Sequence, residues 1–333
     1  PYSAAAIGVD ASRPMSARPC GAGARHAYIG VACVLIATIG FSGKAVIVKL
    51  AYQYPVDVMT LLALRMMCAL PFFVAMAMWS GFSGVEKKLS RNDWLAIIGL
   101  GFIGYYLSSY LDFAGLQYIS AGLARLILYL YPTLVLILSA LFLGQAIRKR
   151  HMLSLALSYG GIVLVFFEQI GLGGNHQALL LGGSLVFASA ATYAIYLLAG
   201  SRIVLKLGSM RFTAYTSIAA CLFVIAHFMI THGPSALAVP HQVYWLTLLM
   251  AVFSTVLPLW LMAEALRRIG ANQAALVACC GPISTFVLAR IFLDEPIGAV
   301  QLIGAVLVLA GVMIISVKPQ TASGDRSPQR RGL

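Results

Sequence analysis

LQYISAGLARLILYLYP at residues 116–132 is answered by LRRIGANQAALVACCGP at residues 266–282, a constant 150 positions further on. Extended to 116–167 and 266–317, the two blocks align without a gap and share twelve identities in 52 positions. Leu116 meets Leu266, Pro132 meets Pro282, Phe142 meets Phe292 and Gly161 meets Gly311. An apolar alphabet inflates chance matches, so the unbroken register and the paired prolines carry the argument. The chain reads as a duplication, and everything else in the sequence can be tested against that period.

Composition names the solvent in which the two copies fold. Of 333 residues, 61% are hydrophobic and 10% charged, whereas about a quarter of an average soluble chain is charged. The apolar runs reach the ~20 residues needed to cross a bilayer. They are continuous rather than alternating, which excludes a barrel and leaves helices. Ten spans fit, near 28–51, 56–79, 93–115, 119–143, 151–168, 177–199, 209–231, 242–266, 271–293 and 298–317. The connections at Gln117–Tyr118 and Ile269–Gly270 are short enough to make tight hairpins.

A net charge of +13 would suggest nucleic acid in a soluble protein. Here 18 of the 23 Lys and Arg residues fall in the arm, the tail and the loops after spans two, four, six and eight, such as Lys87, Lys88, Arg148, Lys149, Arg150, Arg202, Lys206, Arg267 and Arg268. The positive-inside rule then places both termini in the cytoplasm of a bacterial inner membrane. Nucleic acid is excluded as a partner and the bilayer becomes one. Residues 1–26 and 318–333 are expected to be disordered cytoplasmic segments, the first being either a true arm or sequence upstream of a start at Met15. The six cysteines have no metal or disulfide spacing, so no metal or cofactor is expected.

Each repeat, 27–168 and 177–317, holds five spans. An odd number inserts the second copy upside down relative to the first. Inverted halves about a midplane site are the architecture of secondary transporters. The residues also resemble a family. LQYISAGLA from Leu116, LYLYPTLV from Leu128 and LFLG from Leu141 look like the fourth helix of EamA-type proteins of the drug/metabolite transporter superfamily. GANQAAL from Gly270, Gly281-Pro282 and FLDEP from Phe292 look like its ninth helix and the acidic-Pro turn after it. Ser42-Gly43 and Leu64-Arg65 fit as well. The resemblance implies ten helices that move small metabolites, with export the favoured direction.

Charges within the hydrocarbon cost about 2.5–3.5 kcal/mol each at mid-helix and mark functional sites. Arg290 is expected to pair with Asp294 at a helix end, and Glu264 with Arg267 and Arg268 through i,i+3/i+4 spacing. Lys49 and Asp57 lie within snorkelling reach of the outer surface. Asp112 and Arg125 flank a tight turn at similar heights. Their first reading is an interhelical ion pair; the sharper one makes Asp112 a proton-coupling residue. Lys44 lies about 24 Å into the first span, and Arg65 is at comparable depth, neither with a carboxylate nearby in sequence. Three cations against one anion favour an anionic or zwitterionic small molecule, against the alternative that the cations merely bond carbonyls at helix ends. None of the four has a like partner 150 residues on, so the site is expected to be asymmetric.

The expected substrate-binding set is Lys44, Arg65, Tyr106, Tyr110, Arg125, Tyr129, Tyr193 and Trp260. Lipid-interface anchoring is the plainer reading of the aromatics. Pro132 and Pro282 are expected to loosen spans four and nine and free carbonyls near the midplane. No catalytic motif such as H-E-x-x-H, Walker A or G-x-S-x-G occurs. A membrane-embedded enzyme or a receptor on the same scaffold remains the alternative, and an intramembrane carboxylate–His pair would favour the enzyme.

Overall fold

The computed structural model describes residues 20–81, 89–171 and 175–316. The tail, most of the N-terminal arm, Lys87 and Lys88 lie outside the described residues. The described chain is all-helical: α1 (Cys20–Ala51), α2 (Val58–Gly81), α3 (Arg91–Leu100), α4 (Ser108–Gly115), α5 (Ala121–Leu128), α6 (Tyr131–Leu143), α7 (Lys149–Gly171), α8 (His176–Leu207), α9 (Ser209–Thr231), α10 (His241–Ala251), α11 (Leu257–Ala278), α12 (Gly281–Leu293) and α13 (Ala299–Ser316). Eight segments are long and apolar enough to cross a membrane, from Tyr28–Ala51 to His241–Met262, and two shorter apolar helices follow at Gly281–Leu293 and Ala299–Ile315. This is a multi-pass membrane protein.

Irregularities recur at the period read from the sequence. Two π-helical stretches, Gly101–Leu107 and Val252–Val256, join α3 to α4 and α10 to α11. Helix breaks fall at Tyr129–Leu130 and Cys279–Cys280. Left-handed caps close α6 at Gly144 and α12 at Asp294, and Asp294 is the one non-glycine residue at positive φ among the described residues. Gly270 (φ 76°) supplies the hairpin between the two parts of α11, and a left-handed turn there suits the residue without a Cβ.

The prolines account for the breaks. Pro132 and Pro282 each stand at the start of a helix, where the missing N–H is tolerated. A Pro at 282 cannot bond the carbonyl of Ala278, and in lipid an unmet carbonyl costs several kcal/mol. The Tyr129 hydroxyl donates to that carbonyl at 3.2 Å. Ser42 Oγ donates to the Gly281 carbonyl at 2.8 Å. The Ala278 carbonyl, freed as expected, is thus satisfied by a side chain from elsewhere in the fold.

Packing runs across the chain rather than along it. α1 lies against α11 and α12, α4 and α6 against α8, α2 against α9, and α7 against α13. Close backbone approach makes the α7–α13 contact: a Cβ at Gly161 would meet the Gly304 carbonyl at 2.7 Å, and one at Gly311 the Ser154 carbonyl at 2.7 Å. A Cβ at Gly160 would meet nothing within 4 Å, so that glycine takes no part in the contact.

A Cβ at Gly281 would collide with Tyr129 Oη. Gly281→Ala is therefore expected to destabilise by about 1–3 kcal/mol, the cost of overpacking. Tyr129→Phe removes the obstructing oxygen as well as the donor to Ala278, so the double variant should lose less than the two single losses summed. Thermal unfolding of the three variants in detergent checks this, and strictly additive losses would contradict it.

Candidate functional site: a buried charge cluster

Lys44 on α1, Arg65 on α2, Asp112 on α4 and Arg125 on α5 converge inside the bundle. Lys44 Nζ lies 2.7 Å from Asp112 Oδ2, and Arg65 and Arg125 are close enough for their charges to act on Lys44. The Phe113 ring lies beneath both cations, 6.0 Å from Lys44 Nζ and 5.5 Å from Arg65 Cζ. A ring face attracts cations electrostatically and offers a buried guanidinium a partner without a carboxylate.

Local structure explains how each group is held. Thr255 lies in the second π-helical stretch, where its hydroxyl donates to the Met250 carbonyl at 3.2 Å. That leaves its lone pairs to accept from Arg65 Nη2, also at 3.2 Å. Arg125 Nη2 donates to the Phe41 carbonyl at 2.6 Å. Nε and Nη1 of Arg65 and Nε of Arg125 are buried without hydrogen-bond partners among the described residues.

The ion pair expected between Asp112 and Arg125 is replaced by Asp112–Lys44. Height along a hairpin places Asp112 and Arg125 together. The packing of α1 beside α5, which sequence spacing does not reveal, brings Lys44 to the carboxylate instead. Lys44, with no carboxylate nearby in sequence, thus takes one from a helix 68 positions on. Arg290 donates to the Asp294 carbonyl at 3.3 Å rather than to its carboxylate, since the left-handed cap turns that carbonyl back toward α12. Glu264 does pair with Arg268, at 2.6 Å.

The aromatics separate into distinct places. Tyr129 holds the freed carbonyl described above. Tyr106 Oη lies 2.8 Å from His227 Nδ1, and the Tyr110 ring is 6.0 Å from the same imidazole. Tyr193 makes an edge contact with Tyr131 at 5.3 Å and stacks on Tyr196 at 5.8 Å. Trp260 is 63% exposed and stands apart from the buried residues, so it does not join the cluster. An apolar groove of about 340 Å³ between α1, α10 and α12 also lies apart from the charges, walled by the exposed Ile36, Ile39, Phe253 and Phe292.

Sequence reasoning missed Thr255, Phe113 and Glu295. Glu295 follows the left-handed Asp294, and both its carboxylate oxygens accept from the Ala121 N–H at 3.1 Å. Lys49 joins it at 3.3 Å while donating to the Ile119 carbonyl at 2.9 Å. The acidic-Pro turn thus caps α5 and ties α1 to it. Asp57, between the first two spans, is similarly employed. Burial pushes its carboxyl up, but hydrogen bonds from Thr60 and Met59, with His232 3.3 Å away, bring it below the usual carboxylate range.

A family model, the EamA-like transporter family, matches residues 28–167 and again 180–317. The chain belongs to that family. The two matches divide it where the 150-residue period does. A Bacillus subtilis relative named as the uncharacterized transporter YcbK is 32% identical over 289 residues, covering 84% of this chain and 90% of the relative. A second from that organism, the uncharacterized transporter YyaM, is 29% identical over 239 residues, covering 70% and 76%. One solved crystal structure aligns with a TM-score of 0.58 at 17% identity, over 87% of this chain and 95% of that one. It shares the fold.

Removing one partner of a buried ion pair strands the other, typically at about 3–5 kcal/mol, whereas replacing both with apolar residues is often neutral. Asp112→Asn and Lys44→Met should each lower thermal stability sharply. The double variant Lys44→Met/Asp112→Leu should be close to wild type, and equal losses in all three would show that the pair does not form.

Proposed function

We propose that this protein is a secondary transporter, moving small anionic or zwitterionic metabolites across the bacterial inner membrane. It does so by alternating access between two inverted five-helix halves, 27–168 and 177–317. The observation that carries the reading is the buried cluster of three cations and one anion, facing Thr255 of the second half. Charges are retained in hydrocarbon where a substrate or ion uses them. Net positive charge suits an anionic group, and export is the direction the family resemblance favours.

The contact pattern supports the two-half architecture. Exchanging each element for its counterpart 150 residues away turns the α1–α11 contact into α8–α4 and the α1–α12 contact into α8–α6. The α2–α9 and α7–α13 contacts map onto themselves, and all of these pairs are in contact. That is the behaviour of a pseudo-twofold axis, and such an axis permits two equivalent openings around a fixed site. The Lys49–Glu295 pair, with the Ala121 cap, ties the halves together at one end of the bundle. On the positive-inside reading that end is the outer one.

Asp112 is the candidate for proton coupling, because its protonation would release Lys44 from the pair. An enzyme reading would want a carboxylate–His pair within the membrane. The His232–Asp57 pair instead lies beyond α9 and before α2, outside the spans.

Comparing the metabolites in the medium of cells making the wild-type protein, the Lys44→Ala variant and the stable Lys44→Met/Asp112→Leu variant tests the proposal. Wild type should change a small set of anionic or zwitterionic metabolites that both variants leave unchanged. Identical profiles for all three, with each protein present in the membrane, would refute transport through this site.

A further inference from the structure

Two guanidinium groups in the cluster have no carboxylate of their own among the described residues. The Lys44 and Asp112 charges cancel at 2.7 Å. Arg65 and Arg125 are only 7% and 8% exposed, and each is held by one neutral oxygen, that of Thr255 or of Phe41. Among the described residues, Asp112 is the one carboxylate whose field reaches Arg65, and it already serves Lys44. The cluster is therefore left with two uncompensated positive charges. Each such ion costs several kcal/mol when taken out of water. Arg65 commits one of its five N–H donors, and its buried Nε and Nη1 have no hydrogen-bond partner among the described residues. A planar guanidinium with free donors is matched by an acceptor bearing two or more oxygens on one centre.

We infer that the transported molecule is an organic dianion, with one oxyanion on Arg65 and the second on Arg125. This rests on the transport reading above and narrows it. A zwitterion adds no net charge and leaves both positive charges in place, and a monoanion leaves one. Two carboxylates, or one phosphate ester, close the balance while supplying oxygens to the N–H groups that lack partners. Charge is the deciding quantity because the bilayer offers no counterions, so substrate and site must neutralise each other to cross at low cost. The Phe113 ring, 5.5 Å from Arg65 Cζ, and the Lys44–Asp112 pair, neutral in itself, both leave the Arg65 charge in place.

The experiment is thermal unfolding of the purified full chain in detergent, at constant ionic strength, with four probes: succinate, glycerol 3-phosphate, acetate and glycine. A ligand that binds only the folded state raises the midpoint. Succinate or glycerol 3-phosphate should raise it by several degrees, acetate less and glycine not at all, and the stronger of the first two identifies the oxyanion. In Arg65→Lys, which keeps the charge and loses the fork, the dianion shift should fall by more than half. Arg125→Lys gives the same readout should Arg65→Lys not fold. A shift with glycine alone, no shift with any probe, or a dianion shift unchanged in the folded variants would overturn the assignment. The medium comparison separates the two readings: a wild-type-specific set of neutral or zwitterionic metabolites leaves transport standing and removes the dianion, while an absent set removes transport itself.

Discussion

A backbone carbonyl or amide in hydrocarbon has no water to turn to, and at several breaks in the regular helix another segment supplies the partner. Pro282 leaves the Ala278 carbonyl without a helical donor, and Tyr129 supplies one from 149 residues away. Ser42 reaches the Gly281 carbonyl on the far side of the same break. The exposed N-terminus of α5 receives Glu295 from the turn after α12. Each repair joins the first copy of the repeat to the second, so the need to satisfy the backbone is also what holds the copies together.

The same constraint shapes the charge cluster. The second π-helical stretch gives Thr255 the Met250 carbonyl as its acceptor and leaves its oxygen for Arg65. π-bulges of this kind are often found at functional sites, and here the irregular turn is the means by which the second half touches a site built mainly by the first. Lys44, Arg65, Asp112 and Arg125 all precede residue 168, and positions 150 further on are Ala194, Tyr215, Met262 and Ala275. Matching contacts between the two copies thus accompany buried charges carried by the first copy.

Much of the fold was legible because the bilayer simplifies the code. Length and hydropathy mark spans, and the first eight expected segments coincide with the eight long apolar helices to within about four residues at their ends, the usual uncertainty of such boundaries. The period anticipated the paired helix breaks at Tyr129 and Cys279, since a proline acts on its own preceding turn. Partners were less legible. Asp112 and Arg125 stand at one height on neighbouring helices, yet Lys44 takes the carboxylate. Trp260 resembles the other intramembrane aromatics in sequence and differs from them only in the face it presents.

By itself the sequence determined a helical membrane protein, a 150-residue duplication, the places where helices break and which charges are buried. These are local or periodic properties: hydropathy over a span, a missing N–H, a repeated register. Only the tertiary structure decided that Lys44 neutralises Asp112, that Arg65 leans on Thr255 and Phe113, and that Glu295 caps α5. Those outcomes depend on which helix faces meet across the bundle. Contacts between residues 68, 190 and 174 positions apart are set by packing geometry, which no spacing along the chain records.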